Sequence, residues 1–170
     1  MKAALFLLLA VNTAYFVFFG AVSEAIDACA WLALLLLFEA EMSFGDRFAT
    51  TGRRMALRAA RLAAAAGVIA ATIGYVFEDN PLDAANSVLW IFAVILLEIE
   101  FRRPALVRNF RRLFGAAALA VYGGLALLVL LWAAAGMWLD AYDAVLWLVA
   151  FAAIELKLLR SSAGSASAPS

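Results

Sequence analysis

At 170 residues the chain has room for a single domain. Its hydrophobic share of 68% and mean hydropathy of +0.98 lie far above the roughly 45–50% apolar content of a soluble domain, so lipid must be the solvent for much of its surface. Thirteen basic residues balance thirteen acidic ones, histidine is absent and Cys29 is the single cysteine, which excludes an intrachain disulfide and a His- or Cys-built metal centre; no cofactor is expected.

Apolar runs at roughly 3–22, 26–42, 62–77, 84–101, 113–137 and 139–157 read as six helical spans. The first follows Lys2 and is read as a span, because it exceeds the usual apolar stretch of a signal peptide. Cys29, inside the second, reads as a small packing residue. The link at 43–61 holds Arg47, Arg53, Arg54, Arg58 and Arg61. The third run carries small residues at four-residue spacing (Ala63, Gly67, Ala71), and the fifth does the same (Ala116, Ala120, Gly124); such residues let backbones approach closely in lipid. Between the third and fourth runs, Glu78-Asp79-Asn80-Pro81-Leu82-Asp83 predicts a turn and a helix start, with Asp83 as a capping or dipole-matched acid. The link at 102–112 is again arginine-rich, and the tail at 161–170 is low-complexity and expected to be disordered.

With these spans, every Lys and Arg falls on one side of the membrane. Glu24, Asp27, Glu78, Asp79, Asp83, Asp140 and Asp143 fall on the other, with no base among them. The positive-inside rule makes the basic side cytoplasmic, which places both termini inside and suits a multi-pass protein of the cell inner (plasma) membrane. The arginine-rich links are expected to attract anionic lipid headgroups at about 1 kcal/mol per charge. The folded basic domain or aromatic platform that nucleic acid would require is missing, so no such partner is expected.

One pattern occurs three times: Glu24-x2-Asp27-x3-Trp31-x7-Glu39, Asp83-x2-Asn86-x3-Trp90-x7-Glu98 and Asp140-x2-Asp143-x3-Trp147-x7-Glu155, the copies 59 and 57 residues apart. A fixed period of that size marks an internal repeat. The unit is an outward helix, a short acidic turn and an inward helix. The expected fold is therefore an all-α integral membrane six-helix bundle of three tandem transmembrane hairpins at about 1–45, 60–103 and 113–160, within one domain at 1–160, N-in and C-in.

Steps of 3, 4 and 8 residues turn a helix through about 300°, 40° and 80°, so the polar residue, the Trp and the Glu share a broad face. Around a pseudo-threefold axis, Asp27, Asn86 and Asp143 would form an outer ring, with Glu39, Glu98 and Glu155 as an inner ring. Trp31, Trp90 and Trp147 would lie between. Two acidic shells separated by indoles suit a cation or proton site, and acids within a membrane are costly enough to need a partner. Against this, Glu98 and Arg102 are spaced for a helical ion pair, and Glu39 and Glu155 also have bases nearby.

Residues 90–104 resemble the second helix of voltage-sensor domains, which carries an aromatic, an acid and a nearby base. No span here holds the arginines of a sensing helix, so the likeness implies only an acid facing a bundle interior. Nucleophile-elbow, P-loop, dinucleotide and zincin motifs are all missing, and no enzyme is expected. The first functional expectation is a non-catalytic accessory or scaffolding subunit that packs with partner helices or with itself. The alternative is a small cation or proton channel or transporter, in which Glu98→Gln should abolish flux.

Overall fold

The computed structural model describes residues 2–44 and 51–166, with side chains described for 4–41, 43, 52–100 and 102–153. Seven helices follow in order: α1 (Lys2–Phe19), α2 (Val22–Phe44), α3 (Thr51–Phe77), α4 (Pro81–Arg102), α5 (Pro104–Asn109), α6 (Arg111–Ala134) and α7 (Trp138–Ala166). Leu- and Ala-rich runs without internal proline favour such lengths. Pro81 and Pro104 stand at the first positions of α4 and α5, where a missing N–H costs nothing. The residue before Pro104, Arg103, leaves helical geometry at φ −131°, ψ 53°, as the proline ring requires.

The turns are built from the sequence around them. Asp79 (φ 53°) and Gly136 (φ 78°) adopt left-handed backbone and stand 57 residues apart; aspartate tolerates that region better than most side chains. Just beyond them, Asn80 N–H donates to Tyr75 O at 3.0 Å and Met137 N–H to Trp132 O at 2.9 Å, the long closing bond of a Schellman-type helix end. The first turn closes differently: Glu24 Oε2 accepts from Ala21 N–H at 2.7 Å, an N3 acid reaching back to its cap. At the start of α4, Asn80 Oδ1 accepts from Asp83 N–H at 3.4 Å, and the Asn80 amide also donates to the Asp83 carboxylate.

The six long helices close into a ring: α1 packs on α2, α2 on α3, α3 on α4, α4 on α6, α6 on α7, and α7 back on α1, with α5 bridging α4 and α6. No two of α2, α4 and α7 touch through their backbones, so side chains fill the centre. Burial repeats with the 59- and 57-residue spacing. Leu9, Val68 and Leu125 are all buried, as are Trp31, Trp90 and Trp147.

Among the described residues, three helices are long and apolar enough to cross a membrane: Gly52–Phe77, Pro81–Glu100 and Arg111–Ala134. The protein is thus an all-α membrane protein. The apolar part of α1, Ala4–Phe19, is shorter, and α2 carries four acids, Glu24, Asp27, Glu39 and Glu41. Helix α3 begins well before the apolar run at 62, because the intervening Met, Leu and Ala residues are good helix formers. It therefore carries Arg53, Arg54, Arg58 and Arg61 as an extension, and Arg61 pairs with Glu41 of α2. Arg47 lies outside the described residues. Helix α7 continues to Ala166, into the stretch expected to be disordered; Ser and Ala tolerate helix, and Pro169 comes only later. Residues 167–170 lie outside the described ones.

Close approach depends on particular glycines. A Cβ on Gly67 would lie 3.2 Å from Ala30 Cβ, and one on Gly124 would lie 3.0 Å from Leu89 Cδ1; Ala30 and Leu89 are themselves 59 residues apart. Ala63, Ala116 and Ala120, grouped with them by spacing, are exposed and do not pack inside the ring. At Gly74 a Cβ would overlap Ser23 Oγ, the hydroxyl that donates to Glu78 Oε1 at 2.8 Å. Gly74→Val should therefore force α2 and α3 apart and cost about 1–3 kcal/mol, read as a lower thermal midpoint in detergent; an unchanged midpoint would contradict this packing.

Candidate functional site

At the turn end of the bundle, one hollow is bordered by all six long helices. It encloses about 550 Å³ of space between atoms, its open mouth included. Five carboxylates line it, Glu24 and Asp27 from α2, Asp83 from α4, Asp140 and Asp143 from α7, together with the Asn86 amide and no Lys or Arg. Asp27, Asn86 and Asp143 thus come together as the threefold geometry predicts.

Beneath them, the tryptophans form the closing layer. Trp31 stacks at a tilt on both Trp90 and Trp147, with ring centroids 6.3 Å apart in each case, and Phe151 lies 4.8 Å from Trp90. The odd-numbered position of each helix pair supplies a further aromatic: Phe16 of α1, Tyr75 of α3 and Trp132 of α6, each buried. These three escaped the sequence reading, although the signal was present. Each stands eight residues before the first acid of its copy, Glu24, Asp83 or Asp140.

Glu39 and Glu98 do not line the hollow. Twelve residues separate Asp27 from Glu39, a cumulative turn of about 120° at 100° per residue, enough to leave the shared face. Glu98 is exposed and paired with Arg102 of the same helix. Glu39 accepts from Ser43 Oγ at 3.3 Å. The Glu155 side chain lies outside the described residues. Because exposed helical pairs are worth only about 0.3–0.5 kcal/mol, Glu98→Gln should leave stability and any ligand response within about 0.5 kcal/mol of the parent; a large loss of either would return Glu98 to the site.

Hydrogen bonding divides the three outer positions. Buried Asn12 of α1 donates through Nδ2 to Asp143 Oδ1 at 2.5 Å. Asn86 Oδ1 and Trp132 Nε1 are buried and have no hydrogen-bond partner, whereas the Asp27 carboxyl interacts with the Trp31 indole N–H and the Tyr75 hydroxyl. The reason lies in the ring order. Helix α1 leans on α7 as α3 leans on α2 and α6 on α4, and the residues at the place of Asn12 in α3 and α6 are Ala71 and Leu128. Neither can donate a hydrogen bond, so Asn86 keeps an unpaired acceptor and Asp27 has only Trp31 and Tyr75 to turn to. Leaving buried polar atoms unpaired costs about 1–3 kcal/mol apiece, and a group retained at that cost needs an explanation.

The arrangement can hold a positively charged group: anionic acceptors above, indole faces below, and no competing base. Geometry and composition together define an all-helical membrane protein with an acidic, aromatic-floored hollow at one end. Comparison with protein-family models, with curated proteins and with solved structures gives no match to this chain.

Proposed function

We propose that this is a polytopic protein of the cell inner membrane that captures a cation from the non-cytoplasmic side. On this reading three tandem hairpins form six spans with both termini inside, and the thinness of α2 and α7 between their acids is tolerated because those acids face protein rather than lipid. The arginine-bearing ends lie at the cytoplasmic headgroups. The observation that carries the reading is the meeting of Asp27, Asn86 and Asp143, from three separate helices, around one hollow that holds five carboxylates and no base.

The site is a cup and not a pore. Trp31, Trp90 and Trp147, with Leu9, Val68 and Leu125 in the same buried cluster, close it below, and neither Glu39 nor Glu98 lines it. Passage of a cation would require the tryptophan layer to open. The scaffold reading draws on a different observation: Glu98–Arg102 and Glu41–Arg61 pair at the arginine-bearing end, and Gly115 and Gly123 of α6 face open space, as a helix awaiting a neighbour would. The two readings concern opposite ends of the molecule and are compatible.

The test is cation-dependent change in the intrinsic fluorescence and thermal midpoint of the purified protein in nanodiscs, across a panel of inorganic and organic cations at constant ionic strength. A saturable response to any cation supports capture. Absence of response across the panel refutes it.

A further inference from the structure

We infer that the cation taken by this hollow is a small organic ammonium ion carrying a hydroxyl, an aminoalcohol in its protonated form. The inference rests on the cation reading above and narrows it.

The spacing of the acids comes first. Five carboxylates border the hollow, yet among the described residues no three Asp, Glu, His or Cys side chains are grouped closely enough to hold a metal ion. Hard metal ions bring their oxygen ligands to about 2.0–2.6 Å. Acids spread around one hollow without converging on a point instead suit an occupant several atoms wide.

The walls point the same way. Trp31, Trp90, Trp132 and Trp147, with Tyr75 and Phe16, make the hollow an aromatic enclosure. Indole faces attract ammonium groups within about 6 Å of the ring, and they also bury attached methylenes, which a hydrated alkali ion does not possess.

The unpaired atoms set the functional groups. Asn86 Oδ1 is a buried acceptor without a donor, and an ammonium supplies N–H to it and to the carboxylates beside it. Trp132 is 2% exposed and leaves its indole N–H without an acceptor in the same lining. A bare cation has nothing to offer that N–H; a hydroxyl oxygen does. Donors and acceptors left over in one enclosure describe a ligand that carries both kinds of group.

Four of the five tryptophans line the hollow, so intrinsic fluorescence reports directly on occupancy. Titration of the full-length protein in nanodiscs with ethanolammonium, tetramethylammonium, sodium, potassium, calcium and magnesium chlorides should give saturable change with ethanolammonium, at a half-saturating concentration at least about tenfold below that of any inorganic ion. Tetramethylammonium, which keeps the charge and loses every donor, should bind more weakly. Trp132→Phe, which keeps a ring and removes the N–H, should narrow the gap between the two amines. Binding of inorganic ions in preference to both amines, or a response to pH alone, would overturn the aminoalcohol assignment and leave cation capture standing. Equal binding of the two amines, unchanged by Trp132→Phe, would overturn the hydroxyl. No response to any cation would remove the assignment and the reading beneath it together.

Discussion

Replacing Asp27 and Asp143 together with asparagine is expected to abolish the cation response while leaving the helical fold intact. Asparagine matches the shape of aspartate but removes the charge and turns one acceptor into a donor. Both side chains line the hollow, and no base stands nearby to compensate. The single changes should rank. Asp143 already accepts a short hydrogen bond from Asn12 at 2.5 Å, whereas the looser contacts of Asp27 with Trp31 and Tyr75 leave its carboxyl able to turn to a ligand. Asp27→Asn alone should therefore weaken half-saturation by about tenfold or more, equivalent to about 1.4 kcal/mol or more, and Asp143→Asn by less. Helical content by circular dichroism should not change. A double variant that still responds to cations at the parent concentration would place the binding elsewhere.

Trp31→Ala is expected to be the most destabilising single change in the bundle. Helices α2, α4 and α7 do not meet through their backbones; the Trp31 ring, 8% exposed, bridges the gap by touching both Trp90 and Trp147 at 6.3 Å. Truncating a buried tryptophan typically costs about 3–5 kcal/mol. Here the loss falls on dispersion contacts, because lipid leaves little hydrophobic force between helices. The thermal midpoint should drop sharply and the floor of the hollow should open. Trp138→Ala is the matched control: that side chain is 70% exposed and its loss should be close to neutral. Similar midpoints for the two variants would show that the indole layer does not hold the centre.

Much of this was legible in the sequence because helical geometry is nearly fixed. The four-residue step from Asp27 to Trp31 turns only about 40°, so a repeated Asp/Asn-x3-Trp had to present acid and indole on one side, and three copies had to meet if the ring closed. The same arithmetic carried to Glu39 and Glu98 accumulates about 120°, which is why these two part from the hollow and Glu98 pairs with Arg102. Repetition also hid what was not repeated. Asn12 has no counterpart in Ala71 or Leu128, so nothing in the period singled it out, yet it ties α1 to α7. The aromatics at Phe16, Tyr75 and Trp132 differ in identity, so no repeated residue type marks them; their common offset from the acids and their burial do. The spacing of Arg54, Arg58 and Arg61 allows either a helix extension or a segment along the membrane surface; Arg, Met, Leu and Ala all favour helix, and α3 starts at Thr51.

Closure of the ring is what gathers three distant acids into one site, and Asn12 against Asp143, 131 residues apart, is where it closes. Asn12→Cys with Asp143→Cys, in a Cys29→Ser background, places two thiols on the facing turns of α1 and α7. Each thiol ends one bond short of the parent contact, so a short bifunctional thiol reagent should link them within one molecule, visible as a shift in mobility on denaturing gels, in protein that retains its helical content. Folded protein in which these thiols link only between molecules, or not at all, would mean that α1 and α7 are not neighbours and that no common hollow exists.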